Sequence, residues 1–269
     1  MIVPREVEQI DIAPSIASLL GPSFPCDGEV IDEIVDYANG SNRTVLAIVD
    51  SLGFEDYLQN RGSFPFTSFM ESQGLLFKCL SYDKRTTPSI ASILCGLKPE
   101  KHGIKKTEDA YVRKIKCLPE VAYEWGLKVV VVMEEYGALS FQGLVSSVKA
   151  IRDRPDVLEF DEEACYQAVS AMNELDPNLL VVHFRSLDVL GFVPESVKQV
   201  DCSLRTIAEN LIDETIFFVV GDHPPHHRED EKHVALIVSK LRPELDGRRR
   251  QRLELTQGLH RCDGFFAGL

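Results

Sequence analysis

Four short runs of apolar, largely β-branched residues constrain the fold more than any other feature: TVLAIVD (44–50), KVVVVM (128–133), NLLVVHF (178–184) and TIFFVVGD (215–222). Each is nearly continuous in hydrophobicity, the pattern of parallel strands covered on both faces rather than of strands with one wet face. Helical patterns separate them at 117–126, 161–175 and 195–211. Strands alternating with helices predict an α/β fold with a mostly parallel central sheet and helices on both faces. With 269 residues, 44% of them hydrophobic, the chain has enough material for a large core. No Pro/Gly/Ser-rich linker divides it, so a single domain over 1–269 is expected.

Open α/β sheets bind ligands beyond the carboxyl ends of their strands. Three of the four runs carry a carboxylate there: Asp50 closes the first, Asp188 follows the third, and Asp222 closes the last with His223 next to it. A lone Asp after a strand is most simply a turn or helix cap. Three at equivalent edges, one beside a histidine, weaken that reading. The segment DHPPHHREDEKH (222–233) adds His226, His227 and His233, and HVALIVS reads as a further strand entered from a histidine. Carboxylate oxygen and neutral imidazole nitrogen are ordinary ligands for divalent zinc or manganese, so these residues predict a metal site. An exposed histidine loop without a function is the alternative.

Charge and cysteine content narrow the partners. A formal net charge of −13 argues against binding nucleic acid duplexes, whose affinity comes from clustered Lys and Arg; the one dense basic run is GRRRQR (247–252). Seven scattered cysteines with no CxxC pair fit reduced thiols better than a disulfide framework. The N-terminus lacks a secretory pattern, and no apolar run reaches the ~18 residues that span a bilayer. A soluble, cytoplasmic protein with no membrane partner is therefore expected, its oligomeric state left open.

Read together, these segments resemble the metal-dependent alkaline phosphatase superfamily, which includes nucleotide pyrophosphatase/phosphodiesterases, cofactor-independent phosphoglycerate mutases, phosphopentomutases and sulfatases. VLAIVDSLGF resembles the opening strand whose Asp binds metal, and TTPSIASILCGLKPEKHGI (86–104) resembles the nucleophile segment. LLVVHFRSLDVLGF resembles the family's D..GH motif, FFVVGDHP its DHG motif, and HVALIVS its late histidine before a strand. The resemblance implies that Thr86 is the nucleophile. One metal would be held by Asp50, Thr86, Asp222 and His223, the other by Asp188 and His233 with the histidine of D..GH. That last position is Phe192 here, which puts the second site in question; His226 or His227 are candidate substitutes, and His260 is a weaker candidate for the late ligand. The glycine of DHG is Pro224, which stiffens the loop and removes a backbone donor.

The implied chemistry is phosphoryl transfer with two divalent ions, zinc or manganese. Coordination stabilises a threonine alkoxide without a nearby base, and two cations ~3.5–4 Å apart clamp the attacking and leaving oxygens. A phosphothreonine intermediate would then be hydrolysed. A small phosphorylated substrate, with a nucleotide as one candidate, is implied, and phosphodiester hydrolysis is narrowly favoured over phosphomonoester hydrolysis. A sulfatase is disfavoured because its nucleophile derives from Cys or Ser. Phe192 and Pro224 favour a rival reading, a catalytically impaired member that binds a nucleotide or protein; phosphomutase-like transfer is a third. Substrate contacts are expected from 105–160, which contains EDAYVRK and EEYGALSFQG.

One repetition remains. PSIAS occurs at 14–18 and again at 88–92, with unrelated residues in front of each copy, so it marks two helix starts rather than a repeat. In the superfamily a stretch like VEQIDIAPSIASLLGPSFPCDG lies near the C-terminus. Here it occupies 7–28, ahead of the first strand, which suggests a circular permutation joined through 29–43, or alternatively a segment swapped between subunits.

Overall fold

A computed structural model describes residues 4–228 and 230–243. His260, the basic run 247–252 and Cys262 lie outside the described residues. The strands are β1 (Glu6–Glu8), β2 (Thr44–Val49), β3 (Leu75–Leu80), β4 (Val129–Glu134), β5 (Ser147–Ile151), β6 (Leu179–Phe184), β7 (Thr215–Gly221) and β8 (His233–Leu241). They form an eight-stranded sheet in the order β1-β3-β8-β7-β2-β6-β4-β5. Pairing is parallel except that β8 runs antiparallel to both β3 and β7.

The apolar runs become buried strands because both faces of the sheet are covered. Alternate residues of one strand enter opposite cores: Leu46 and Ile48 join one cluster, while Val45, Ala47 and Val49 join the other. Val181 and Val182 divide in the same way, as do Phe217 and Phe218. The first cluster is roofed by helices Ile12–Leu20, Thr86–Cys95 and Leu118–Glu124. The second lies under Val157–Leu175 and Pro194–Glu209, with Phe54–Asn60 and Pro65–Gln73 beside them. The long helix starts four residues before the predicted 161, at Val157, and is capped by Asp156, whose carboxylate accepts the Leu158 amide.

The N-terminal segment packs on its own chain. β1 pairs in parallel with β3, and Ile12, Ala13 and Ile16 are fully buried in the first cluster. Asp11 ties the joining segment down, accepting the amides of Glu8 and Glu29. One expectation fails here: Cys95 and Cys117 are bonded as a disulfide, with their Cα atoms 4.1 Å apart. The end of helix Thr86–Cys95 and the start of helix Leu118–Glu124 meet there, which spacing along the chain does not reveal. Cys26, Cys79, Cys165 and Cys202 carry thiols. No helix among the described residues is long and apolar enough to cross a membrane.

Candidate metal centre

Strand register assembles the site. Val49 of β2 stands opposite Phe184 of β6 on one side and Gly221 of β7 on the other, so the residues that follow meet at one carboxyl edge. Asp50 and Asp222 are buried there, 2% and 0% exposed. The Asp50 amide donates to the Phe184 carbonyl at 2.8 Å, continuing the ladder one residue beyond the strand. Gly221 lets the next turn pass close: a Cβ there would stand 2.3 Å from the Leu52 carbonyl oxygen.

The chain then turns through Ser51 at φ 62°, a left-handed conformation unusual for a residue with a side chain. The strain places its polar groups. The Ser51 amide donates to Asp222 Oδ1 at 3.0 Å, and its hydroxyl donates to Asp188 Oδ1 at 2.6 Å. Asp222 Oδ1 also accepts the His223 amide at 2.7 Å. Its other oxygen, Oδ2, is buried without a hydrogen-bond partner, as is His183 Nε2.

Two groups of potential ligands result. Asp50, His183 and Asp222, all buried, place one donor atom each within 4.8 Å of the others; Asp188, His223 and His226 do the same. The groups touch through His223, whose Nε2 lies 3.0 Å from Asp50 Oδ1. His223 Nδ1 faces the Pro224 carbonyl at 2.9 Å, which directs Nε2 inward. Thr86 is the first residue of its helix, and its hydroxyl lies 3.3 Å from Asp50 Oδ2 and 3.4 Å from His223 Nε2.

Electrostatics reflect three charges crowded out of water. Burial and the neighbouring Asp50 charge push the Asp222 carboxyl well above the carboxylate range. Burial acts the same way on Asp50, but the adjacent imidazoles of His183, 3.6 Å away, and His223, 3.0 Å away, outweigh it and hold that carboxyl well below its usual value. Burial disfavours the His223 cation, yet the Asp50 hydrogen bond and the charges of Asp222 and Asp50 push it up to about 10. A divalent ion fits this set: two carboxylates, imidazoles with inward nitrogens, and two orphaned buried acceptors.

Of the residues expected at the site, Asp50, Thr86, Asp188, Asp222, His223 and His226 come together. His233 does not. Its Nε2 lies 3.3 Å from Glu6 and its Nδ1 3.1 Å from Glu231, because β8 is separated from β6 by β7 and β2, three strand spacings or about 14 Å. His227 is exposed and belongs to neither ligand group. Phe192 packs edge-on against Phe64, ring centroids 6.2 Å apart, as part of the second core cluster. His183 and Ser51 are the residues that sequence reasoning missed. The available signal for His183 was a polar residue two positions from the end of an otherwise apolar buried strand.

Neither a family model nor a curated protein matches the sequence. Solved structures do match. A putative sulfatase from Bacteroides thetaiotaomicron VPI-5482 aligns with a TM-score of 0.59 at 12% identity, over 76% of this chain and 65% of that one. Phosphonoacetate hydrolase from Sinorhizobium meliloti 1021, bound to phosphonoacetate, gives 0.55 at 17% identity over 68% and 56%. The C-terminal periplasmic domain of EcEptC from Escherichia coli, a complex with Zn, gives 0.54 at 9% over 76% and 74%. The matched region thus spans less than two thirds of the sulfatase and hydrolase chains. At these identities the likeness is one of architecture, and the architecture is the alkaline phosphatase-like fold that the sequence motifs resemble.

Proposed function

We propose that this protein is a metal-dependent phosphohydrolase that acts through Thr86. One observation carries the reading: the Thr86 hydroxyl stands at a helix N-terminus between the two ligand groups, in reach of Asp50 and His223. Asp50, His183 and Asp222 would hold one divalent ion, and Asp188, His223 and His226 the other. Zinc suits this mixture of imidazole and carboxylate, with manganese second. Bound there, the ions supply Lewis-acid stabilisation of the charge that develops on the oxygens of a transferring phosphoryl group.

The chain's own residues do the rest. The N-terminus of the ten-residue helix Thr86–Cys95 presents unpaired amides and a positive dipole end to the phosphoryl oxygens. Thr86 Oγ1, oriented by Asp50, attacks phosphorus in line and loses its proton to solvent, while the leaving oxygen departs with the bonding pair. Water then cleaves the phosphothreonine ester, releasing phosphate or a phosphomonoester and returning the hydroxyl. Ser51 keeps the two groups in step by holding Asp222 and Asp188 at once. The substrate is a small phosphorylated compound, for which a nucleotide is one candidate. The cytoplasmic placement rests on composition, and the Cys95–Cys117 disulfide removes part of its basis. Circular permutation is part of the same proposal, supported by the packing of residues 7–28 on their own sheet.

The test is hydrolysis of bis-p-nitrophenyl phosphate and p-nitrophenyl phosphate by chelator-stripped protein, by protein reloaded with zinc or manganese, and by Thr86→Ala. Turnover that requires metal, disappears in Thr86→Ala and leaves a phosphoryl group on Thr86 after acid quench supports the reading. A folded, metal-loaded protein that hydrolyses neither ester overturns it and assigns the fold to binding.

A further inference from the structure

A cavity of about 400 Å³ opens directly beside the nucleophile, with Thr86 and His183 among its walls. That volume is in the range of sites that enclose organic ligands rather than single ions. Its remaining surface comes from elements outside the metal centre: the helix Thr86–Cys95 below, the short helix Thr107–Tyr111 and the short helix Glu135–Leu139 around the mouth. Ile90, Leu94, Ile104, Met133 and Phe141 make it predominantly apolar. Tyr136 lines it and is largely exposed, and the Tyr111 hydroxyl donates to the Tyr136 carbonyl at 2.6 Å, tying the two short helices together.

The charges around this space are matched. Arg113, 6% exposed, meets Glu120 at 2.9 Å, donates to the carbonyls of Ala110 and Ser140, and stacks over the Phe141 ring at 4.8 Å. Arg185 pairs with Asp153 at 2.7 Å and lies over Phe160. The Glu134 carboxylate is occupied by the amides of Tyr136 and Gly137. Each guanidinium lining the cavity is therefore neutralised by a carboxylate, although Arg113 Nε keeps no hydrogen-bond partner of its own, and Glu134 adds one negative charge. A carboxylate or second phosphate on the substrate would have to compete with Glu120 and Asp153 for these cations. An ammonium would find its one counter-charge already engaged and would give up water to sit against apolar walls.

Resting on the phosphohydrolase reading, we infer that the substrate carries an uncharged, mainly apolar organic group, of aryl size or larger, which occupies this cavity while its phosphoryl group sits at Thr86. Burying such a group is favourable in proportion to the apolar area removed from water, so it adds affinity that a methyl ester cannot obtain.

The experiment is calorimetric binding of four phosphonates to the zinc-loaded 269-residue chain: methylphosphonate, phenylphosphonate, phosphonoacetate and 2-aminoethylphosphonate. Phenylphosphonate is expected to bind at least tenfold more tightly than the other three. Ala110→Trp, which fills the cavity from the helix at its mouth, is expected to abolish the phenyl-to-methyl ratio. Equal affinity for methyl and phenyl, or a preference for the carboxylate or the amine, overturns the inference and leaves the phosphohydrolase reading standing. If the phenyl preference survives unchanged in a folded Ala110→Trp, the cavity is not where the group binds and the inference fails. Failure of all four to bind overturns the proposed function and this inference with it.

Discussion

Asp222→Asn separates a residue held for metal from one held for the fold. Asp222 is fully buried, and its Oδ1 accepts two backbone amides, from Ser51 and His223. An asparagine carbonyl can accept both. Oδ2 is different: it has no hydrogen-bond partner and is 3.6 Å from His223 Nε2, and the Asp50 charge is close enough to raise the Asp222 pKa. Leaving a buried polar acceptor unsatisfied costs about 1–3 kcal/mol, and more when it is charged. Replacing it with an amide removes both the charge and the repulsion. The metal-free variant should therefore be more stable than the parent by about 2 kcal/mol, a rise in Tm of about 4–8 °C for a chain of this size. Zinc reverses the order. At a hundred times its Kd an ion stabilises the parent by about 2.7 kcal/mol, and the variant forfeits much of that. Scanning calorimetry in chelator and in zinc checks both halves. An asparagine variant less stable than the parent in chelator, with an undiminished zinc shift, would refute the idea that Asp222 is strained in the absence of metal.

Three further outcomes follow from the same geometry. His226→Ala should reduce bound zinc by one ion per chain in elemental analysis while His233→Ala leaves it unchanged, because only His226 is brought to Asp188. Gly221→Ala should cost more than ~2 kcal/mol in denaturant unfolding and weaken metal binding, since the new Cβ forces the Leu52 carbonyl, and with it Ser51, out of place. His102 is buried, its Nδ1 accepting the Ile104 amide at 3.0 Å and its Nε2 facing the Ser92 hydroxyl at 3.2 Å, and burial holds its pKa below 6.5. A depressed histidine favours the neutral form in the folded state. Its contribution is thus fully present above pH 6.5 and is lost as pH falls through the folded value. Unfolding measured from pH 7.5 to 5 should show this slope, and His102→Asn should flatten it.

The legible part of the fold was the part with a strong local pattern. TVLAIVD, NLLVVHF and TIFFVVGD gave strands within a residue of those observed, because a strand buried on both faces has no alternative pattern to be confused with. The two edge strands and β3 escaped. EVE and SVKAI are short and only partly buried, so they carry no run of hydrophobicity, and KCL interrupts β3 with a lysine. At the site, aspartates beyond strand ends could be found by position alone. His183 could not, because inside VVHF it looked like part of the strand, and only pairing beside Ile48 turns it toward Asp50. The sequence offered His226 and His227 as substitutes and His233 as a ligand, but could not decide among them, since which histidine meets Asp188 depends on strand order rather than on distance along the chain.

The N-terminal packing also bears on how the molecule is made. Gln9, with no exposure, donates through Nε2 to the carbonyls of Gly221 and Asp222, 212 and 213 residues further along the chain. Gln9 is synthesised before both of its partners. At about 5–20 residues per second, roughly 10–40 s separate them. During that interval the amphipathic helix Ile12–Leu20 has no complete sheet to cover. The loop that carries Asp222 and His223 is therefore set by a clasp that closes only after residue 222 has been made, so a chain interrupted before that point would have most of its strands but not the assembled candidate metal centre.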